Sequence, residues 1–496
     1  MHGAGRVVGK GGISRKLAWL LIVLTGFGVA VYHVTLVILQ YQKWPVSTLV
    51  TIEYNKELLF PAVTICNINP LRRSALSSEY LREIEQIIRE KNNSNETETS
   101  TDEQQNFDEY SDDFEITKSI QQIMATMKDN ARAKLGYSMD HMLLNCEFQG
   151  LPCVPGNFTR FHNGEFGNCF MFNQEPGMWS MITKTGTQYG LTLEMYAMVD
   201  EYIAEVADTV GFKILIHSQS VMPFPEDDGI SISPGTSTSI GISKFQMTRA
   251  PPPYSSCAVY SDNDERTINM FSSILDTVQY SYKACDKSCY QKNVIEKCGC
   301  CDLKLPCSDE ARQSLRIDES SEITYCNTTS GSIQKECTNK VFIEYLHNDL
   351  GCDELCSPSC SDVDYDTKVS SAVWPAEVVV DKVYDKVVSR RRKTNSSKLD
   401  LPENETKLQY LRKNVAKIHV YYKQLNHEHI ETIPSYSWNT LLSDIGGQVG
   451  LWLGFSLLTA IEIVELVADI FMTLIKKIRC IAQVGEQKAV QSAVKF

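Results

Sequence analysis

Hydropathy constrains this chain more than any other feature: two long apolar stretches stand near its ends, with roughly 400 residues of polar, cysteine-rich sequence between them. The first, over 17–40, contains no Asp, Glu, Lys or Arg and exceeds the roughly 20 residues that cross a hydrocarbon layer of about 30 Å. The second covers 444–475. A cleaved leader is the competing reading of the first stretch, but such leaders carry only about 7–15 apolar residues and end in a small-residue cleavage site, which does not follow here. Each stretch is therefore expected to be a transmembrane helix.

Arg6, Lys10, Arg15 and Lys16 precede the first span, and Lys476, Lys477 and Arg479 follow the second. Because cytoplasmic flanks carry the Lys and Arg excess, residues 1–16 and 476–496 are expected in the cytoplasm and 41–443 outside, in a two-span plasma-membrane protein. Two further patterns fall on the same side. Of 17 cysteines, only Cys480 lies outside the intervening segment. The rest are Cys66, Cys146, Cys153, Cys169, Cys257, Cys285, Cys289, Cys298, Cys300, Cys301, Cys307, Cys326, Cys337, Cys352, Cys356 and Cys360, an even set that reads as an extracellular disulfide framework. The glycosylation sequons at Asn92, Asn95, Asn157, Asn327, Asn395 and Asn404 also lie there. A net charge of −13 argues against nucleic acid as a partner, since phosphate needs basic surface; it favours cations or cationic ligands.

The segment between the spans reads as α+β. Residues 59–66, a β-branched apolar run closed by Asn67, Asn69 and Pro70, predict a strand and loop. Apolar spacing over 77–91 predicts a helix. Residues 92–117 hold nine acids and no Lys or Arg, the composition of a solvated insertion. Short β-rich runs between 191 and 242 predict sheet, the crowded cysteines of 285–360 a small stapled helical subdomain, and 416–422 a last strand leading to the membrane.

Glu462, Glu465 and Asp469 stand at i, i+3 and i+7 within the second apolar stretch, so a helix places their carboxylates on one face. A charge at mid-bilayer costs about 2.5–3.5 kcal/mol, and a stripe of them cannot face lipid. One reading ends the span near Ala460; the other wets the stripe with a shared pore in which stacked acids attract cations. The apolar run continues past Ala460 through Ile461, Ile463, Val464, Leu466, Val467, Ile470, Phe471 and Leu474, which favours the pore. Glycines at 446, 447, 450 and 454 either unwind backbone to present carbonyls to an ion or pack helices closely.

The run Leu442-Ser443-Asp444-Ile445-Gly446-Gly447-Gln448-Val449-Gly450-Leu451-Trp452-Leu453-Gly454-Phe455-Ser456, followed by Glu462, resembles the pore signature of the epithelial sodium channel, degenerin and acid-sensing channel superfamily. His2-Gly3 resembles its gating motif, Phe60-Pro61-Ala62-Val63-Thr64-Ile65-Cys66-Asn67 its post-span signature, and Tyr282, Ala284, Cys285, Ser288 and Cys289 the start of its cysteine-rich thumb. The resemblance covers nearly the whole chain. It implies a homotrimer in the lipid bilayer, each subunit a disulfide-rich extracellular domain of palm, finger (77–146), knuckle, β-ball and thumb (285–360) between two spans.

By the same resemblance, Gly454, Phe455 and Ser456 form the selectivity belt for permeant Na+, with His2-Gly3 beneath it. Ser443 is the position where a bulky side chain holds the gate open, and Asp444 and Glu462 are acids at the mouth and below the belt. Amiloride-type blockers lodge near this tract, and Trp44 and Tyr254 form an aromatic contact near the membrane. The implied disulfides are Cys285–Cys356, Cys289–Cys352, Cys257–Cys360, Cys66–Cys169 and Cys146–Cys153; the spacing Cys352-x-x-x-Cys356-x-x-x-Cys360 departs from the acid-sensing pattern and leaves individual pairings open.

For gating, the histidines that acid-sensing relatives carry after the first span are missing from 41–46, which argues against a proton trigger. The chain looks similar to the branch that includes FMRFamide-gated sodium channels, which implies an extracellular neuropeptide ligand. Phe107, Asp108, Tyr110, Asp112, Asp113 and Phe114 offer a cationic, aromatic peptide both carboxylates and rings; the competing reading is a plain acidic loop. Proton-gated and constitutive or mechanosensitive degenerin-type channels are the alternatives within the superfamily. Outside it, trimeric ATP-gated channels need a cationic pocket that this acidic segment does not offer, and a two-span lipid or scavenger receptor needs no acids along its second span. The sequence offers no nucleophile elbow, zinc helix or phosphate loop, so no enzyme and no cofactor is expected. Cys298, Cys300 and Cys301 could imitate zinc ligands, but disulfides are the better reading outside the cell.

Overall fold

The computed structural model describes residues 12–77, 82, 120–125, 127–175, 177, 180–203, 208–258, 268–275, 278–317, 323–328, 332–394, 401, 405–454, 464, 467–468 and 470–475. The chain divides into two units, residues 1–48 with 432–496 and residues 49–431.

In the first unit, helix α1 (Ile13–Tyr41) runs for 29 residues, about 43 Å at 1.5 Å per residue. Its apolar side chains are exposed over most of its surface, and one side carries a half-buried stripe through Trp19, Val23, Gly26, His33 and Val37 in which Ala30 is buried; an exposed apolar surface of this kind suits lipid. The hydroxyls of Thr25 and Thr35 donate back to the carbonyls of Leu21 and Val31 at 2.8 Å, which keeps their polar groups satisfied within the helix. Among the described residues α1 is the one helix long and apolar enough to cross a membrane. Helix α6 (Trp438–Leu453) packs on it. The rings of His33 and Trp452 stack at 6.0 Å, and a Cβ on Gly26 would meet the Trp452 carbonyl at 3.3 Å, so the small residue sets how closely the helices approach.

The second unit is built on two sheets. The larger has the order β1 (Val46–Tyr54), β15 (Asn426–Pro434), β12 (Thr236–Thr248), β14 (Val415–Tyr422), β9 (Leu191–Tyr196), β4 (Leu143–Phe148) and β5 (Leu151–Pro152), with β13 (Ser361–Val373) also on β12. The smaller has the order β11 (Ile230–Ile232), β10 (Phe212–His217), β3 (Ala62–Asn67), β7 (Gly167–Phe172) and β6 (Phe158–Asn163), and β2 (Leu58–Leu59) pairs β8 (Met181–Ile182). Strand β14 alternates from its second residue, burying Ala416, Ile418, Val420 and Tyr422, the period-2 pattern of a strand over a core. Strand β3 is buried on both faces because a second layer covers it. The shared core contains Phe60, Ile65, Leu193, Phe212, Ile240 and Ile418. Above it, Arg391 of helix α4 (Val380–Lys393), 4 % exposed, donates to Asp200 and Tyr196 at 2.7 Å, so this buried charge is paired. Helix α5 (Lys407–Asn414) starts on a Thr406–Gln409 capping box.

Strands β12 and β13 pair antiparallel along all 13 residues, from Thr236↔Val373 to Thr248↔Ser361. The cysteine-rich region is an insertion between those last partners. The Arg249 amide donates to the Cys360 carbonyl at 2.7 Å, and Cys257–Cys360 closes the base. Within the insertion, helix α2 (Tyr282–Cys298) begins on the Ser281 hydroxyl and ends at left-handed Gly299. Cys285 and Cys289, four apart and so on one helix face, bond Cys356 and Cys352, themselves four apart. Cys298–Cys337 ties α2 to helix α3 (Ile333–Leu346), and Cys300–Cys326 and Cys301–Cys307 fix the loop between them.

Candidate functional site

Helix α6 starts at Trp438, six residues before the apolar stretch at 444, because the Ser437 hydroxyl accepts the Thr440 amide at 3.2 Å and caps the first turn. It stops at Gly454, whose φ of 61° and ψ of 33° are left-handed, with the Gly454 amide donating to the Gly450 carbonyl at 3.0 Å. A side chain is strained in that conformation, so glycine is what lets the helix end at the first residue of Gly454-Phe455-Ser456. Phe455, Ser456, Glu462, Glu465, Asp469, His2 and Gly3 lie outside the described residues. Helical backbone is present again at 464, 467–468 and 470–475, where Val464, Val467, Ile470 and Phe471 face outward.

At the start of α6, Ser443 is exposed and Asp444 half-buried. The Tyr436 hydroxyl donates to the Asp444 carboxylate. Trp44 adopts a positive φ of 48° and packs on Tyr41 with ring centres 4.9 Å apart. Trp44 belongs to the first unit and Tyr254 to the second, where the Tyr254 amide donates to the Pro251 carbonyl at 3.1 Å.

In the second unit, Cys66–Cys169 bridges the neighbouring strands β3 and β7 and Cys146–Cys153 closes the β4–β5 turn. Asn157 sits in a Pro155–Asn157 turn, its side-chain oxygen accepting the Val154 amide at 2.8 Å, and Asn327 is exposed. Asn92, Asn95, Asn395 and Asn404 lie outside the described residues, as do Phe107, Asp108, Tyr110, Asp112, Asp113 and Phe114.

Sequence reasoning overlooked two arrangements. Tyr436 is one; an aromatic immediately before a capping serine is the signal that marks it. The other joins β1 to β15. His427 Nε2 lies 3.5 Å and His429 Nδ1 3.6 Å from the two carboxylate oxygens of Glu53. Asn55 and Thr248 hold the remaining ring nitrogens at 2.8 and 3.0 Å. Burial and the nearby Lys244 keep His427 less basic than an ordinary histidine. No strand is predicted over 426–434; the alternation His427-x-His429 is the signal that would have marked a strand with both rings on one face.

A helix ended by glycine at the head of Gly-Phe-Ser sits within a chain whose residues 1–466 match the profile of the amiloride-sensitive sodium channel family. The chain belongs to that family. Similar proteins include the epithelial sodium channel subunit gamma-2 of Xenopus laevis, 27 % identical over 94 % of this chain and 78 % of that one. The epithelial sodium channel subunit alpha of Neoceratodus forsteri is 26 % identical over 95 % and 78 %. The degenerin-like protein unc-105 of Caenorhabditis elegans is 29 % identical over 75 % of this chain and 40 % of its own. This member of the amiloride-sensitive family is a sodium channel subunit, with the disulfide-rich extracellular α/β architecture and N-terminal apolar helix described above. Its family forms multimeric plasma-membrane channels, and its relatives are channel subunits rather than enzymes.

Proposed function

We propose that three copies of this chain form a homotrimeric, sodium-selective channel of the plasma membrane, opened by a short extracellular neuropeptide of the FMRFamide type and blocked by amiloride-type cations. Each copy crosses the bilayer twice, over 17–40 and 444–475, with both termini cytoplasmic. The observation that carries this reading is the helix end at Gly454: it supports a narrowing at Gly454-Phe455-Ser456, with Asp444 at the mouth above and Glu462, Glu465 and Asp469 attracting cations below. His2 and Gly3 lie under the belt, and Trp44 and Tyr254 couple the pore to the extracellular domain. The peptide binds the finger at Phe107, Asp108, Tyr110, Asp112, Asp113 and Phe114, and it opens the channel by favouring the open arrangement.

Whole-cell recording from cells expressing the chain alone tests this reading. Amidated peptide should evoke an inward sodium current that reverses at positive potential and that amiloride blocks. Enlarging Ser456 should alter ion selectivity, and a bulky group at the exposed Ser443 should give standing current without peptide. The similarity to a degenerin-like protein is compatible with a second reading, in which the channel is constitutive or mechanically opened; current without peptide in the unaltered chain would decide for it.

A further inference from the structure

We propose that the Tyr436 hydroxyl is a latch: it holds the Asp444 carboxylate against its own helix and thereby sets how strongly the mouth of the pore binds external cations. This rests on the reading of Asp444 as the mouth acid given above.

Tyr436 precedes the capping Ser437, and Leu441, 6 % exposed, stands four residues into the helix. These are the two positions of a hydrophobic staple, which fixes how the chain enters a helix. Tyr436 itself is only 9 % exposed although residues 433–435 and 437–440 around it are exposed. Its ring meets that of Tyr41 edge-on at 6.3 Å, and Tyr41 is backed by Trp44 at 4.9 Å. Positions 437, 441 and 444 share one helix face, so a ring anchored there has its hydroxyl beside residue 444, where it donates to the carboxylate. Every element of the geometry is local to one chain, and the hydroxyl adds something the staple does not need: packing alone is served equally well by Phe. What the oxygen supplies is a donor that commits one carboxylate oxygen of Asp444. A cation at the mouth competes with that donor for the same lone pairs.

The test is external Ca2+ block of the sodium current, measured on the full chain by whole-cell and single-channel recording. Tyr436→Phe keeps the ring and frees the carboxylate, so the blocking concentration should fall about threefold to tenfold. Asp444→Asn should raise it, and adding Tyr436→Phe to Asp444→Asn should change nothing further, the pattern of two residues acting through one contact. If Asp444→Asn leaves block unaltered, the mouth reading and the latch fall together. If Asp444→Asn changes block while Tyr436→Phe matches the native channel, or acts undiminished without Asp444, the latch alone is overturned. Should Tyr436→Phe fail to reach the surface, the double variant decides: a latch predicts that it is expressed and blocked like Asp444→Asn, and its absence from the surface overturns the proposal.

Discussion

The sheets of the extracellular unit and the cysteine-rich insertion solve the same problem by different means. The sheets enclose a continuous apolar core in which Phe60, Ile65, Phe212, Ile240 and Ile418 are completely buried, and the hydrophobic effect suffices to hold them. The insertion shares one apolar cluster with the smaller sheet, to which it gives Met270, Phe271, Ile295 and Leu315, but its own clusters are poor in apolar bulk. In one of its clusters four of six buried residues are half-cystines and in another two of four, so cross-links take the place of bulk. The difference teaches which insults each part resists: the sheets should tolerate reductant and fail on truncation of a core side chain, and the insertion the reverse.

Phe60→Ala gives the largest effect. Its ring packs with Phe148, Phe172 and Tyr422 at 5.0–6.4 Å, and emptying that site should cost about 3–5 kcal/mol, read as lost hydrogen-exchange protection in β3, β7 and β14. Next, replacing Cys285 and Cys356 by Ser opens a closure spanning 71 residues and should cost about 2–5 kcal/mol. Exchange should rise in α2 and α3 while the sheets stay protected; equal loss in both would break the comparison.

Acid comes third. His217, buried between Thr64 and the Ser218 carbonyl, has its pKa pushed down to about 4 by burial. The unfolded chain takes up that proton near pH 6.5, so the folded form loses stability as pH falls from about 6.5 toward 4. His141, pushed down to about 4 chiefly by burial, and His162, to about 3 for the same reason, act in the same direction. Melting of the purified protein should therefore depend on pH over that range, and His217→Gln should make the dependence shallower. The smallest effect is expected from Lys297→Ala, which removes a solvent-facing ion pair with Glu344 at 2.6 Å between α2 and α3. With Cys298–Cys337 next to it, melting should not move measurably, and a large drop would show that the insertion relies on charge as well as cross-links.

Much of this was legible in the sequence. The run ending at Tyr422 and the short runs after Leu191 are rich in β-formers and bounded by turn residues, as strands are, and an even set of extracellular cysteines reads as cross-links. What was not legible depends on distance along the chain. Thr248 and Ser361 are register partners across more than a hundred residues, and no local pattern states that a helical subdomain is inserted between them. Among the cysteines from 298 to 337 several pairings fit the spacing equally well, and only the fold chooses. In the candidate site, Gly454 stood out because glycine has a conformational meaning. Ser437 did not: serine is common, and its capping role depends on where the helix begins.

An insertion whose two ends leave the sheet at one point has a mechanical consequence. Thr248 and Ser361, the Cys257–Cys360 bond, and Arg249 contacting both Ser359 and Asp362 together make one covalently closed base, while Lys287 with Glu226 and Asp227, and Lys304 with Glu165, hold the cross-linked arm to the turns of the smaller sheet. Torque on that arm reaches β12 through this base, and from β12 its neighbour β15, whose chain continues directly into α6. A force applied to the arm thus has a short covalent and hydrogen-bonded route through β12 to β15.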